Sequence, residues 1–163
     1  MKKLTWVFTL CLLMGAFACS PEENDQLSKL NKGDVDHFVF GRYFGHCLGN
    51  CTTVYLLKED GLYADLVDRG YPDSTIAFVY TSRTAEFVTM AKKLLADFPD
   101  KLMDEEEETI GCPDCADQGG YYLEIKQGKT TRSWWIDTDD SRIPAYLSAY
   151  TEKVGKLVDE LEK

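Results

Sequence analysis

The chain has 163 residues, 44% of them hydrophobic, and carries 18 Lys plus Arg against 28 Asp plus Glu, a formal charge of −10. That length suits one compact domain with a real core and is short for two. The acidic balance repels phosphate backbones and anionic headgroups, which excludes nucleic acid as a partner and leaves cations or a basic protein as the electrostatic match.

Lys2 and Lys3 precede an apolar stretch, Leu4 to Phe17, that ends in Ala16-Phe17-Ala18-Cys19. The stretch is too short for a comfortable stop-transfer helix and reads as a signal peptide over residues 1–18, cut before Cys19. A cysteine directly after the cut resembles the lipobox of bacterial lipoproteins, although Ala16 stands where that family favours Leu and Phe17 where it favours a small residue. The resemblance implies that Cys19 is the lipidation site, so the mature chain meets a membrane through its acylated N-terminus. Loss of Lys2 and Lys3 leaves 16 basic against 28 acidic residues, a charge of −12. Residues 19–34 then form the anchor and a flexible acidic tether, because Ser20 to Gln26 holds no large apolar side chain to bury. Glu22-Glu23-Asn24-Asp25 resembles the surface-export signal of Bacteroidota outer-membrane lipoproteins, which implies an outer-membrane protein facing the periplasm or the cell surface.

Residues 35–163 read as one domain. Phe38 and Phe40 alternate with Val39 and Gly41, Val54 to Leu57 follow a Gly-rich turn, and Asp60-Gly61 is a tight-turn signal before Leu62 to Val67. Ile76 to Tyr80, bounded by Tyr71-Pro72-Asp73-Ser74 and by Thr81-Ser82, predicts a fourth strand. From Thr84 the period changes. Phe87, Met90, Ala91, Leu94, Leu95 and Phe98 recur at helical spacing; Thr84 or Ser82 is placed to cap the start, and Pro99 ends the helix near Asp97. The acid run Asp104 to Glu108 predicts a solvated loop or frayed helix end, since adjacent carboxylates repel and gain nothing from burial. Tyr121 to Lys126 and Arg132 to Asp137 predict a hairpin about Gln127-Gly128-Lys129. Ile143, Leu147, Tyr150, Val154, Leu157 and Leu161, behind Pro144, predict a closing helix. The order β-β-β-β-α-β-β-α predicts an α+β fold, with a mainly antiparallel sheet and both helices on one face.

Six cysteines are present; Cys11 lies in the signal and Cys19 at the anchor, which leaves Cys47, Cys51, Cys112 and Cys115 as an even set spaced Cys-x3-Cys and Cys-x2-Cys. In an exported chain their expected fate is two disulfides. Sequence proximity favours the local pairs; a cross pairing would close longer loops and hold the unfolded chain more tightly. The sharper alternative is one structural zinc on the four thiolates, with His46 as a substitute ligand. Cys112-Pro113-Asp114-Cys115 also matches a thiol-redox motif, but without the strand before it and the helix after it that such motifs use.

Asp137, Asp139 and Asp140 hint at a calcium loop, yet Arg142 stands at the Gly position and Ser148 at the closing Glu position. The chain has only His37 and His46, and no nucleophile elbow or phosphate loop, so no catalytic residues, metal or cofactor are assigned. One ring of each adjacent aromatic pair must point away from the helices; Tyr122 and Trp135 are the candidates for a ligand surface, with cross-strand packing as the plainer explanation. Segments 40–51 and 112–122 are similar to those of small uncharacterised Bacteroidota lipoproteins, and that resemblance brings no activity with it. The expected function is a non-catalytic, lipid-anchored binding or interaction domain whose partner is a basic protein or a small ligand. An acidic inhibitor or immunity-type protein is the second reading, and a zinc or thiol-redox protein the third.

Overall fold

A computed structural model describes residues 30–45, 47–48, 51–65 and 81–163. In chain order it contains β1 (His37–Tyr43), β2 (Thr52–Lys58), β3 (Gly61–Ala64), β4 (Thr81–Ser82), α1 (Ala85–Ala96), a 3₁₀ turn (Asp100–Asp104), β5 (Thr109–Ile110), β6 (Gly120–Gln127), β7 (Thr130–Asp137) and α2 (Ala145–Leu161). The strands among these residues form one sheet, ordered β4-β3-β2-β1-β6-β7-β5. Every pairing is antiparallel except that of the short β5 with β7. The fold is α+β with a mostly antiparallel sheet, as the element pattern predicts.

β1 lies at the centre because its residues have work on both faces. Phe38 pairs with Leu57 and Ile125, and Phe40 with Tyr55 and Leu123, all on the side the helices cover. Phe38 and Phe40 are fully buried there, and Phe98 and Tyr150 meet edge-on beside them, their ring centroids 5.7 Å apart. Side chains alternate across a strand, so Val39 and Tyr43 face the opposite way and join Val54, Leu56 and Tyr122 in a second apolar cluster.

Both helices pack on the first face. α1 buries Ala91 and Leu94, and α2 buries Leu147, Tyr150, Val154, Leu157, Val158 and Leu161, which are the positions the helical period selects. The helices are joined where Tyr150 donates to the Leu94 carbonyl at 3.2 Å and Lys153 meets Asp97 at 2.8 Å. Total burial, and then the negative charge of Asp97, push the Tyr150 hydroxyl well above its ordinary pKa.

Several details differ from the sequence reading. Thr84 occupies the cap position of α1 but makes no side-chain cap bond; its carbonyl accepts from Val88, and the helix draws its stability from packing. Thr81 and Ser82, read as the boundary of a strand, are themselves strand residues paired with β3. The strand expected over Ile76 to Tyr80 lies outside the described residues. β5 carries too few residues to show a period, and it pairs through Trp135, whose amide donates to Glu108 at 2.7 Å. The packed part also reaches N-terminal of residue 35. Leu30 is buried in the main core, and Lys32 crosses to the end of α1, donating to the carbonyls of Ala96 and Phe98.

Candidate functional site

The register places three connections at one end of the sheet. Tyr43 is opposite both Thr52 and Gly120, and Gly120 is opposite Asp137. The β1–β2 connection, the loop before β6 and the loop after β7 therefore sit side by side. The first holds the Cys47–Cys51 disulfide and the second the Cys112–Cys115 disulfide, with Cα separations of 5.7 and 5.6 Å. The pairing is local, as sequence proximity favours. Each cysteine of this set is used by its neighbour, so the cross pairing and a shared four-thiolate site are not formed. His46 lies outside the described residues.

The Cys112–Cys115 loop is built around Asp137, whose side chain is fully buried at the end of β7. Its Oδ2 accepts from the Cys112 amide at 2.8 Å, and its Oδ1 from the Asp139 amide at 2.9 Å and the Gln118 side-chain amide at 3.3 Å. Gln118 also donates to the Cys112 carbonyl at 3.0 Å and accepts from the Ala116 amide at 2.7 Å. Gly119 closes the loop at φ +72° and approaches β1 so nearly that a Cβ would lie 2.3 Å from the Tyr43 carbonyl and 2.6 Å from the Phe44 ring. Only glycine meets both demands. The bonding explains why Asp137, Asp139 and Asp140 do not compose a calcium loop: Asp137 is filled by N–H donors, and Asp139 accepts from the Ser141 amide and hydroxyl and pairs with Arg142. Among the described residues no group of three or more His, Cys, Asp or Glu side chains is arranged to hold a metal ion.

The redox motif finds no activating surroundings in this loop. A short strand, β5, does precede the motif, contrary to the sequence reading, but the residues after Cys115 pass through Asp117 at φ +55° into β6, a strand and not a helix. Asp114 and Asp137 place negative charge near the cysteines, which disfavours a thiolate.

The Cys47–Cys51 loop is built differently. Its base is closed by the Phe44 amide donating to the Cys51 carbonyl at 2.8 Å. Its tip carries Leu48 at 104% relative exposure, with Phe44 at 40%; these are the exposed large hydrophobic residues among those described.

On the sheet face away from the helices, Tyr122 and Trp135 are cross-strand partners with ring centroids 4.8 Å apart, and Tyr43 meets Trp135 edge-on at 4.7 Å. Tyr122 is buried and Trp135 half-buried. The Tyr122 hydroxyl donates to Glu124 at 2.6 Å, and His37 Nε2 lies 2.7 Å from the other carboxylate oxygen. An ionised carboxylate only accepts, so His37 carries its proton on Nε2. Burial raises the Glu124 carboxyl, but the bonds from His37 and Tyr122, with the nearby His37 and Lys126 charges, outweigh it and hold the group below its ordinary value. Burial first, and then the Glu124 carboxylate, push Tyr122 ionisation far above the ordinary range. This string knits β1 to β6. Sequence reasoning missed it, since the signal is the shared strand face of His37, Tyr122 and Glu124, and that needs the β1–β6 register.

Elsewhere, Asp104 and Glu106 to Glu108 are exposed as expected, while Glu105 is half-buried and accepts from the Tyr146 hydroxyl at 2.5 Å. A cleft of about 590 Å³ between residues 32–36, the β2–β3 turn and the end of α1 mixes Lys32, Lys58 and Lys92 with Asp34, Asp36 and Glu59, which selects no charge sign. No helix among the described residues is long and apolar enough to cross a membrane. No family model and no curated protein matches the chain.

Proposed function

We propose that this chain is an exported, lipid-anchored domain of the outer membrane that works by binding a partner rather than by catalysis. The observation that carries the reading is cysteine bookkeeping. Two disulfides take Cys47, Cys51, Cys112 and Cys115. Past the apolar leader, Cys19 is then the one cysteine left over, at the position where a lipobox places its acylated residue. Disulfides accumulate in oxidising compartments, which agrees with export. A lipid anchor needs more than one acyl chain to hold, because one chain gives only marginal, reversible membrane binding.

The exposed carboxylates and the charge of −10 favour a basic protein as the partner, which is the inhibitor or immunity-type reading in physical terms. Metabolic labelling with an alkyne palmitate in native cells tests the anchor. The label should appear on the wild-type chain in the membrane fraction and vanish in Cys19→Ala. Label retained by Cys19→Ala would overturn the lipid anchor. Partner capture that ignores salt concentration would overturn the electrostatic choice of partner.

A further inference from the structure

We propose that the cleft between residues 32–36, the β2–β3 turn and the end of α1 is a binding site for short peptides with both termini free, with Glu59 taking the ammonium end and Lys92 the carboxylate end. The inference goes beyond the anchored-domain reading and does not depend on it, since it names a small ligand where that reading names a protein partner.

The cleft has the volume of a ligand site. At about 590 Å³ it lies within the range of about 300–1,000 Å³ typical of small-molecule pockets. Its walls come from three separate parts of the chain, and each is pinned. Lys32 donates to the Ala96 carbonyl at 3.0 Å and to the Phe98 carbonyl at 2.6 Å, which ties the first segment to the end of α1. At the far end of that segment the Asp36 amide donates to the Lys126 carbonyl at 2.9 Å, and the Asp36 carboxylate accepts from the Gly128 amide at 2.7 Å. Leu57 is fixed in β2 between Phe38 of β1 and Leu62 of β3. The space is therefore preformed, which lowers the ordering cost of binding.

The lining as a whole favours neither charge sign, but its charges are not equally committed. Lys32 is spent on two carbonyls and on Asp100 at 3.3 Å, Asp34 accepts from the Asn31 side chain at 2.5 Å, Asp36 holds Gly128, and Lys58 has a partner of its own. Glu59 and Lys92 remain, with no hydrogen bond or ion pair to any described residue. One belongs to the β2–β3 turn and the other to α1, so an anion and a cation line the cleft from different walls. Val35, Leu57, Leu95 and Ala96 supply its apolar lining. A ligand that answers all three features carries an ammonium and a carboxylate on a partly apolar body. In a free amino acid the two charged groups share one carbon, whereas the termini of a peptide separate by about 3.3–3.6 Å for each extended residue. A peptide of a few residues with apolar side chains therefore suits charges set on different walls.

The test uses the full-length chain purified from native membranes in detergent, and a library of tripeptides with both termini free. The library is equilibrated against the protein by dialysis and the retained peptides are read by mass spectrometry, with N-acetylated and C-amidated libraries run in parallel. The account expects the free library to be retained, and retention to fall about threefold or more on either block, the scale of a partly solvated charge pair. Glu59→Gln should abolish the preference for free over acetylated peptides and keep the preference for carboxylate over amide. Lys92→Gln should do the reverse. Both side chains are exposed, so the thermal midpoints should match that of the wild type. Failure to retain any peptide, retention indifferent to both blocks, or a preference that survives in its matched variant would overturn the site. Displacement of the retained peptides by an equal concentration of free leucine would overturn the peptide as its ligand. None of these outcomes bears on acylation of Cys19, which the palmitate labelling reads separately.

Discussion

The two disulfide loops look alike in sequence and are held in different ways. The Cys112–Cys115 loop is held by more than its sulfurs, because Asp137 and Gln118 bind its backbone and Gly119 packs it closely on β1. The Cys47–Cys51 loop has its disulfide and the base bond to Phe44, and it turns a leucine into solvent. A disulfide added to a network secures structure already specified. The other disulfide has only the base bond to Phe44 beside it among the described residues, so the contrast is between a loop held by many groups and one held by few.

The strongest way to break the comparison is Gly119→Ala. Its positive φ and the 2.3 Å approach to the Tyr43 carbonyl leave no room for a methyl group, so the loop must move or β1 must yield. The expected loss is about 3 kcal/mol or more in denaturant unfolding. Asp137→Ala comes next. It strands the Cys112 and Asp139 amides beside a buried cavity, and about 1–3 kcal/mol for a buried unpaired group sets the scale of the loss. A loss under half a kcal/mol in either variant would show that the loop is not held by this network.

Removing each disulfide sharpens the contrast. Chain entropy assigns about 2 kcal/mol to either short loop, so the paired serine variants Cys47→Ser with Cys51→Ser and Cys112→Ser with Cys115→Ser should lose similar stability. Their local effects should differ. Exchange of the Phe44 amide, which bonds the Cys51 carbonyl, should speed strongly when the Cys47–Cys51 disulfide is removed, whereas the amides of Cys112 and Gly119 should stay protected when the Cys112–Cys115 disulfide is removed. Equal loosening of both loops would erase the distinction between them.

The smallest effect concerns the pH dependence of the face away from the helices. Glu124 ionises in the folded state below its ordinary value of 4.5, so the stability it contributes is complete above that pH and is lost as pH falls through the folded value. Glu124→Gln removes this contribution. Stability curves of the two proteins should lie apart at neutral pH and converge as pH falls through the folded value, which lies below 4.5. Parallel curves across that window would mean that the His37–Glu124–Tyr122 string does not favour the ionised carboxylate.

Much of the fold is legible in sequence because long, strongly periodic segments declare themselves. The apolar positions of α1 and α2 and the alternation in β1 and β6 are repeated many times, and each repeat restates the same face. The short elements are not legible. Thr81–Ser82 and Thr109–Ile110 become strands only because a neighbour offers its edge, which is a tertiary fact. Proximity only favours the local disulfide pairing that the structure shows, and the adjacency of the two loops depends on the register of β1 with β6, which no local pattern encodes. Likewise, the two-ring surface expected at Tyr122 and Trp135 is part of a packed cluster with Tyr43, and the large hydrophobic residues left exposed among those described are Phe44 and Leu48, which no local pattern marks.

The central claim, an exported and anchored domain with its remaining cysteines paired, is tested most directly by the intact mass of the protein purified from native membranes without reductant. The account predicts a chain that begins at Cys19, carries acyl groups there, and weighs four hydrogens less than its reduced form, two for each disulfide. A chain that begins elsewhere without lipid, or four free thiols with one bound zinc, would contradict it.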